Sequence, residues 1–271
     1  MGVDWTVETA IANLQPSVEG SLRYYAAWWL GHFQVAHPDA IDGLLLALTD
    51  ESHRSPDGGF PLCRNAARAL GKLEDARIVP ALCARLACED YYVREAVIQS
   101  LERQRQSSCI PELLKFLTGG VEAAVTIPGK PHLVQPYEAV MEALGTLQAT
   151  VAIVPIRGFL VHPVPKVQFA AARALYQLTG ETEYGERLVR GLQHEKLAVR
   201  RSALMDLGSS GYIAGATAIA DTLAENSLKL IALKGLLESH FQHSSTPSSE
   251  RDGIELDGAA EHILQIMDDL L

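Results

Sequence analysis

Tyr24 and Trp28 stand four residues apart, as do Arg64 and Arg68. A spacing of four puts both members of a pair on one face of a helix. Arg94, Glu95 and Gln99 follow further along the chain. Aromatic faces, guanidinium groups and carboxylates on consecutive helical turns suit a long, flat, dianionic ligand, with arginines gripping carboxylates as bidentate pairs. No nucleophile–base constellation accompanies these residues, and GxSxG, GxGxxG and Walker patterns are absent. Cys63, Cys83, Cys88 and Cys109 lack CxxC spacing, which argues for reduced thiols in a cytoplasmic protein rather than a zinc or redox pair. The nine histidines are scattered, so no metal site is expected.

The elements that must carry these residues follow from a repeat. Leu30, Leu70, Leu101, Leu144, Leu175, Leu207 and Leu236 are spaced by 40, 31, 43, 31, 32 and 29 residues. Four residues before each stands Ala26, Ala66, Val97, Val140, Ala171, Ala203 or Ala232, and eight before stands Leu22, Leu62, Val93, Pro136, Val167, Val199 or Leu228. That spacing makes one apolar helical face. Second apolar runs follow at 41–48, 78–86, 110–117, 153–160 and 213–223, with Pro80, Pro111 and Pro155 in opening turns, where a missing N–H costs little. Asp90 and Asn226 are expected N-caps. The pattern predicts an all-α solenoid of HEAT-like repeats with about seven helix pairs, continuous over residues 1–238. A polar flexible linker over 239–253 and a C-terminal amphipathic helix over 254–271, docked on the solenoid or on a partner, complete the expected organisation.

Composition narrows the function classes. A net charge of −10 argues against a nucleic-acid surface, including that of a HEAT-type DNA glycosylase. The chain has one His-Glu pair, His194–Glu195, where a HEAT-type di-iron hydroxylase would carry several. No 18-residue apolar run and no signal peptide are present, so no membrane partner is expected. Two long spacings mark insertions at 51–60 and 119–135, rich in turn formers, which should form loops at the edge of the solenoid face.

The repeat lets each position be compared with its counterparts. Six residues before the anchor stand Tyr24, Arg64, Glu95, Glu138, Phe169, Arg201 and Leu230; two before stand Trp28, Arg68, Gln99, Glu142, Arg173, Met205 and Lys234. Most are polar, so these columns should face away from the stack. Tyr24 and Trp28 occupy positions that elsewhere hold Arg and Glu, which marks them as a ligand or partner surface. Tyr25 and Trp29 lie in columns otherwise small and should cap the open end of the first repeat. Arg23, Arg94 and Arg200, seven before their anchors, should tie neighbouring repeats together.

Residues 21–31 (SLRYYAAWWLG), 58–72 (GGFPLCRNAARALGK), 128–139 (PGKPHLVQPYEA) and 224–235 (AENSLKLIALKG) resemble the E subunit of the E/F-type phycobilin lyases, a likeness covering roughly residues 5–238. The resemblance implies HEAT repeats of the PBS-lyase type and a heterodimer with a related F subunit. The pair would attach phycocyanobilin, as substrate and not cofactor, through a thioether to a cysteine of the apo-phycocyanin α subunit, and could remove or transfer it. It further implies that Tyr24 and Trp28 contact the tetrapyrrole and that Arg64 and Arg68 pair with its propionates. Glu95 or Glu138 would hydrogen-bond pyrrole N–H groups as the catalytic carboxylate, while His132 and Tyr137 border the pocket. The competing classes are a non-enzymatic HEAT-repeat scaffold or chaperone, and a lyase subunit for a related bilin and phycobiliprotein.

Overall fold

The computed structural model describes residues 5–56, 58–244 and 257–271. Its helices form an all-α solenoid whose contacts gather into two compact units, Met1–Leu147 and Gln148–Leu271. The first unit holds α1 (Val7–Ala12), α2 (Gly20–His32), α3 (Pro38–Leu48), α4 (Pro61–Leu70), α5 (Ile78–Arg85), α6 (Tyr91–Gln104), α7 (Ile110–Lys115), α8 (Gly120–Ala123) and α9 (Tyr137–Thr146). The second holds α10 (Ile153–Arg157), α11 (Pro165–Thr179), α12 (Thr182–Gly191), α13 (Leu197–Ser210), α14 (Ala216–Asp221), α15 (Asn226–Ser244) and α16 (Gly258–Asp269). Among the described residues the sole extended pairing is one antiparallel bridge, Thr126 to Leu133. No helix is long and apolar enough to cross a membrane.

All seven anchor leucines are fully buried, as is nearly every residue four positions before them. The column eight before is less uniform: Val199 and Leu228 are half-buried and Leu22 is 44 % exposed. Leading helices stack closely because small residues meet at their contacts. A Cβ on Gly31 would sit 2.7 Å from the Ala69 backbone, and one on Gly208 would sit 2.5 Å from that of Ala232. Such approaches leave room for glycine alone.

Asp90 caps α6 as expected, its Oδ1 accepting from the Tyr92 N–H at 2.8 Å. Asn226 does not cap α15. It is already helical, and its side-chain amide donates to the Leu270 carbonyl at 2.8 Å, fastening the end of α16. The fifth repeat also has a second helix, α12, that the apolar pattern did not reveal. Its buried face is Tyr184, Gly185, Leu188 and Gly191, and glycine carries no hydrophobic signal. Helix α15 runs through Ser244, so residues 239–244 are helical where a linker was expected; residues 245–253 of that linker, and 254–256 of the expected C-terminal helix, lie outside the described residues. Helix α16 buries Ala260, Ile263 and Ile266 and packs on α14 and α15, taking the place of the second helix in the last pair.

One buried cation fastens the start of the chain. Arg23, wholly inaccessible, donates through Nε to the Leu14 carbonyl at 3.2 Å and pairs through Nη2 with Asp50 Oδ2 at 2.6 Å. It thereby joins the end of α1, the first turn of α2 and the end of α3. Burial works against ionisation of Asp50, but hydrogen bonds from Ser52 and the Arg23 charge outweigh it and hold the carboxyl down at about 2. Asp50→Ala should therefore cost about 3–5 kcal/mol by stranding a buried charge. Leu30→Ala should cost about 2–5 kcal/mol by leaving a core cavity. The Asp50 carboxyl is depressed on folding, so its contribution is present above the ordinary carboxylate pKa and is lost as pH falls through about 2. Urea melts against pH should show that acid limb in the parent protein and not in Asp50→Asn.

Candidate functional site

The two insertions converge on the N-terminal end of α6. Around Ser55 the first insertion turns back on itself, Ser55 N–H donating to the Gly59 carbonyl at 2.9 Å. It is then held by Asp90, whose Oδ2 accepts from the Phe60 N–H at 2.7 Å. The second folds as a short hairpin: Val134 N–H donates to Val125 O at 3.0 Å and Lys130 N–H to Ile127 O at 3.0 Å, with Gly129 at φ +75° in the turn. Positive φ is where glycine is favoured. Arg94 pins the hairpin to α6. Its Nη2 donates to Val134 O at 3.0 Å while Nη1 donates to the carbonyls of Cys88 and Glu89 at 2.7 and 2.9 Å.

Between the insertions lies a groove of about 330 Å³, walled by Tyr91, Tyr92 and His132, with Arg54, Arg94 and Lys130 at its rim. The His132 ring stacks on Tyr91 with centroids 3.9 Å apart and planes at 12°, and meets Tyr92 edge-on at 5.4 Å. Tyr91 is buried; burial first, then the nearby Glu138 and Glu95 carboxylates, push its hydroxyl well above the usual tyrosine range. Arg64 closes the side towards α4, with its guanidinium 4.7 Å over the Tyr92 ring and Nη2 3.6 Å from Asp90 Oδ2. Planar aromatic walls with cations at the rim can hold a flat conjugated anion.

The residues expected to form one site fall into three settings. His132 lines the groove, whereas Arg64 does not line it and instead packs against two of its wall residues, Asp90 and Tyr92. Glu95 and Glu138 lie near Tyr91 without lining the groove, and Glu138 is buried. Tyr137 is 2 % exposed at the start of α9 and is not among the residues that line this groove. Tyr24, Trp28 and Arg68 stay exposed on the outward face of α2 and α4, and among the described residues no ring contact or ion pair joins them to the groove.

Trp28 belongs instead to an aromatic patch at the open end of the first repeat. Its indole lies between Tyr25, at 5.3 Å, and His32, stacked at 5.0 Å, while Trp5 packs edge-on against Tyr25 at 4.6 Å. Trp29 and Phe33 continue the patch at 4.6 Å. Tyr25 and Trp29 cap the repeat as expected, yet Leu22, Tyr25, Trp28 and Phe33 all remain at least 40 % exposed. The chain's three tryptophans are all in this patch. Sequence reasoning missed Tyr91, Tyr92, Arg54 and Lys130. The Tyr91–Tyr92 doublet directly after a helix cap was the available signal.

This arrangement belongs to a defined class of protein: residues 22–50 and 62–88 match the PBS lyase HEAT-like repeat. The chain is 55 % identical over 98 % of its length to the phycocyanobilin lyase subunit alpha of Synechocystis sp., covering 97 % of that protein. It is 44 % identical over 88 % of both chains to the bilin biosynthesis protein PecE of Nostoc sp.. Among solved structures, the complex of CpcE and CpcF of phycocyanin lyase from Nostoc sp. contains a chain 54 % identical, with a TM-score of 0.87 over 100 % of this chain and 96 % of that one. The chain belongs to the phycocyanobilin lyase alpha-subunit family.

The structure separates the two arginines that the sequence paired. Arg68→Glu, on an exposed face, should change stability by no more than about 0.5 kcal/mol. Arg64→Glu places a carboxylate beside buried Asp90 and should destabilise by roughly 1–3 kcal/mol. Thermal melts of the two variants, compared under the same conditions, check the difference.

Proposed function

We propose that this chain is the E-type half of a cytoplasmic heterodimeric lyase. With an F-type partner it attaches phycocyanobilin by a thioether to a cysteine of the phycocyanin α subunit, and it can remove or transfer the same bilin. The end-to-end likeness to the phycocyanobilin lyase alpha subunits carries this reading. The groove supports it: a tetrapyrrole offers a flat conjugated face and two propionates, matching Tyr91, Tyr92 and His132 beside Arg54 and Lys130. A groove of about 330 Å³ is at the small end of ligand sites and takes one end of such a molecule. On this reading Tyr24, Trp28 and Arg68, on the adjoining free face, bind its remainder.

The thiols of this chain support a nucleophile supplied by the acceptor protein. Burial pushes both Cys63 and Cys109 up to about 11 and raises Cys83 as well, which keeps these sulfurs protonated and unreactive. The work of the chain is then to orient chromophore and acceptor and to exclude competing additions.

Mixing the purified chain with an F-type subunit, phycocyanobilin and apo-phycocyanin α should give a pigmented α subunit whose colour survives denaturation. The chain alone should give little. Equal attachment without the F-type subunit would overturn the heterodimer reading, and unchanged bilin absorbance with the pair would favour a scaffold. Because the tryptophans are confined to the α2 patch, Trp28→Ala should abolish most of the change in tryptophan emission on adding partner or bilin, with little change in melting temperature.

A further inference from the structure

We infer that His132 is the proton acceptor for the incoming cysteine thiol, a catalytic residue of the attachment reaction; this rests on the lyase reading above. The tautomer is fixed by geometry. His132 Nδ1 lies 2.8 Å from the Leu133 carbonyl oxygen, which can only accept, so Nδ1 carries the hydrogen and Nε2 the lone pair. The ring cannot swing freely, since it is stacked flat on buried Tyr91 and edge-on to Tyr92. Its Nε2 makes no hydrogen bond or ion pair within the described residues, and the ring is half-buried in the groove wall.

The other bases around the groove are committed. Asp90 accepts from the N–H groups of Phe60 and Tyr92 and faces Arg64. Glu89 is paired with Arg54 at 2.6 Å. The Tyr91 hydroxyl is held protonated by burial and by the carboxylates behind it. Arg54, Arg94 and Lys130 are cations. Among the described groove-lining residues, His132 offers an unpartnered basic atom on a ring held rigid, as a general base must be, whereas Glu89 is exposed and paired through one oxygen only.

A thioether formed with no leaving group is an addition. The thiol S–H bond and one carbon–carbon π bond of the chromophore are lost; one S–C bond and one C–H bond are gained. Nε2 takes the thiol proton as sulfur bonds to carbon, and the imidazolium returns it to the chromophore carbon left with the electron pair. No oxidant or reductant is needed. Bilin removal runs through the same steps in reverse.

The test uses the heterodimer with its F-type subunit, phycocyanobilin and apo-phycocyanin α. His132→Phe keeps a ring to stack on Tyr91 and removes the nitrogen. It should still bind bilin, read by absorbance, while the rate of covalent attachment falls about 10²–10⁴-fold, the usual worth of a general base. His132→Ala should lose attachment similarly and regain part of it in added imidazole. Attachment by His132→Phe at the parental rate would overturn the assignment and leave the ring a packing element. So would loss of bilin binding in His132→Phe with an unchanged circular-dichroism melt, or failure of imidazole to restore His132→Ala. No attachment by the parental pair would instead overturn the lyase reading itself.

Discussion

The groove depends on a single carboxylate. Asp90 caps α6 through the Tyr92 N–H, holds the end of the first insertion through the Phe60 N–H, and faces the Arg64 guanidinium that lies over Tyr92. A helix N-terminus needs acceptors for its exposed N–H groups. Here that local need is met by the residue that also draws in a loop from the preceding repeat. The close fit is visible at Gly59, where an added Cβ would meet Asp90 Oδ2 at 3.0 Å, Ser55 Oγ at 3.2 Å and Arg64 Nη2 at 3.3 Å. Capping, loop docking and the placing of an aromatic wall are therefore one interaction, and loss of the carboxylate would disturb all three.

Arg94 does the complementary work for the second insertion, and the repeat shows that this is an adapted joint. Arg200 holds the equivalent position in α13. Both arginines donate Nη1 to the carbonyls six and five residues before them, and both reach onward with a second nitrogen to a carbonyl ahead: Val134 for Arg94, Leu223 for Arg200. A structural tie common to both repeats is used in the third to anchor a hairpin carrying His132. Arg23 has diverged further, trading those carbonyls for Leu14 and the Asp50 carboxylate.

How much of this was legible follows from what periodicity can encode. The anchor column and the alanine column were legible in full, because each repeat buries the same face against the same kind of neighbour. The outward columns were legible in part: Trp28, Arg68 and Gln99 are exposed as expected, while Glu138 and Phe169 are buried. Helix α12 was not, since two glycines form much of its buried face. Nor was the groove, which exists because a hairpin folds back across 41 residues to set His132 on Tyr91, and no repeat position predicts where an insertion lands. The role of Asn226 was misread for a related reason. Its partner, Leu270, lies beyond the last repeat, outside any pattern that could have pointed to it.

The first unit thus presents two aromatic surfaces of opposite character. The groove is half-closed, cation-rimmed and fixed by Asp90 and Arg94, features that suit a small rigid ligand whose reacting atom must be placed. The α2 patch is open and apolar, with Leu22, Tyr25, Trp28 and Phe33 in water. A chain carrying a net charge of −10 gains nothing from keeping those side chains exposed unless another surface meets them. On the proposed lyase reading an acceptor protein brings its own cysteine to the chromophore, in keeping with the Cys63, Cys83 and Cys109 thiols that burial pushes up. The division of the unit into an open aromatic face and a rigid polar groove is what a reaction between a held pigment and a visiting protein requires. The unpartnered nitrogen of His132 lies in the groove, on a ring whose plane is set by Tyr91 and Tyr92 and whose tautomer is set by the Leu133 carbonyl.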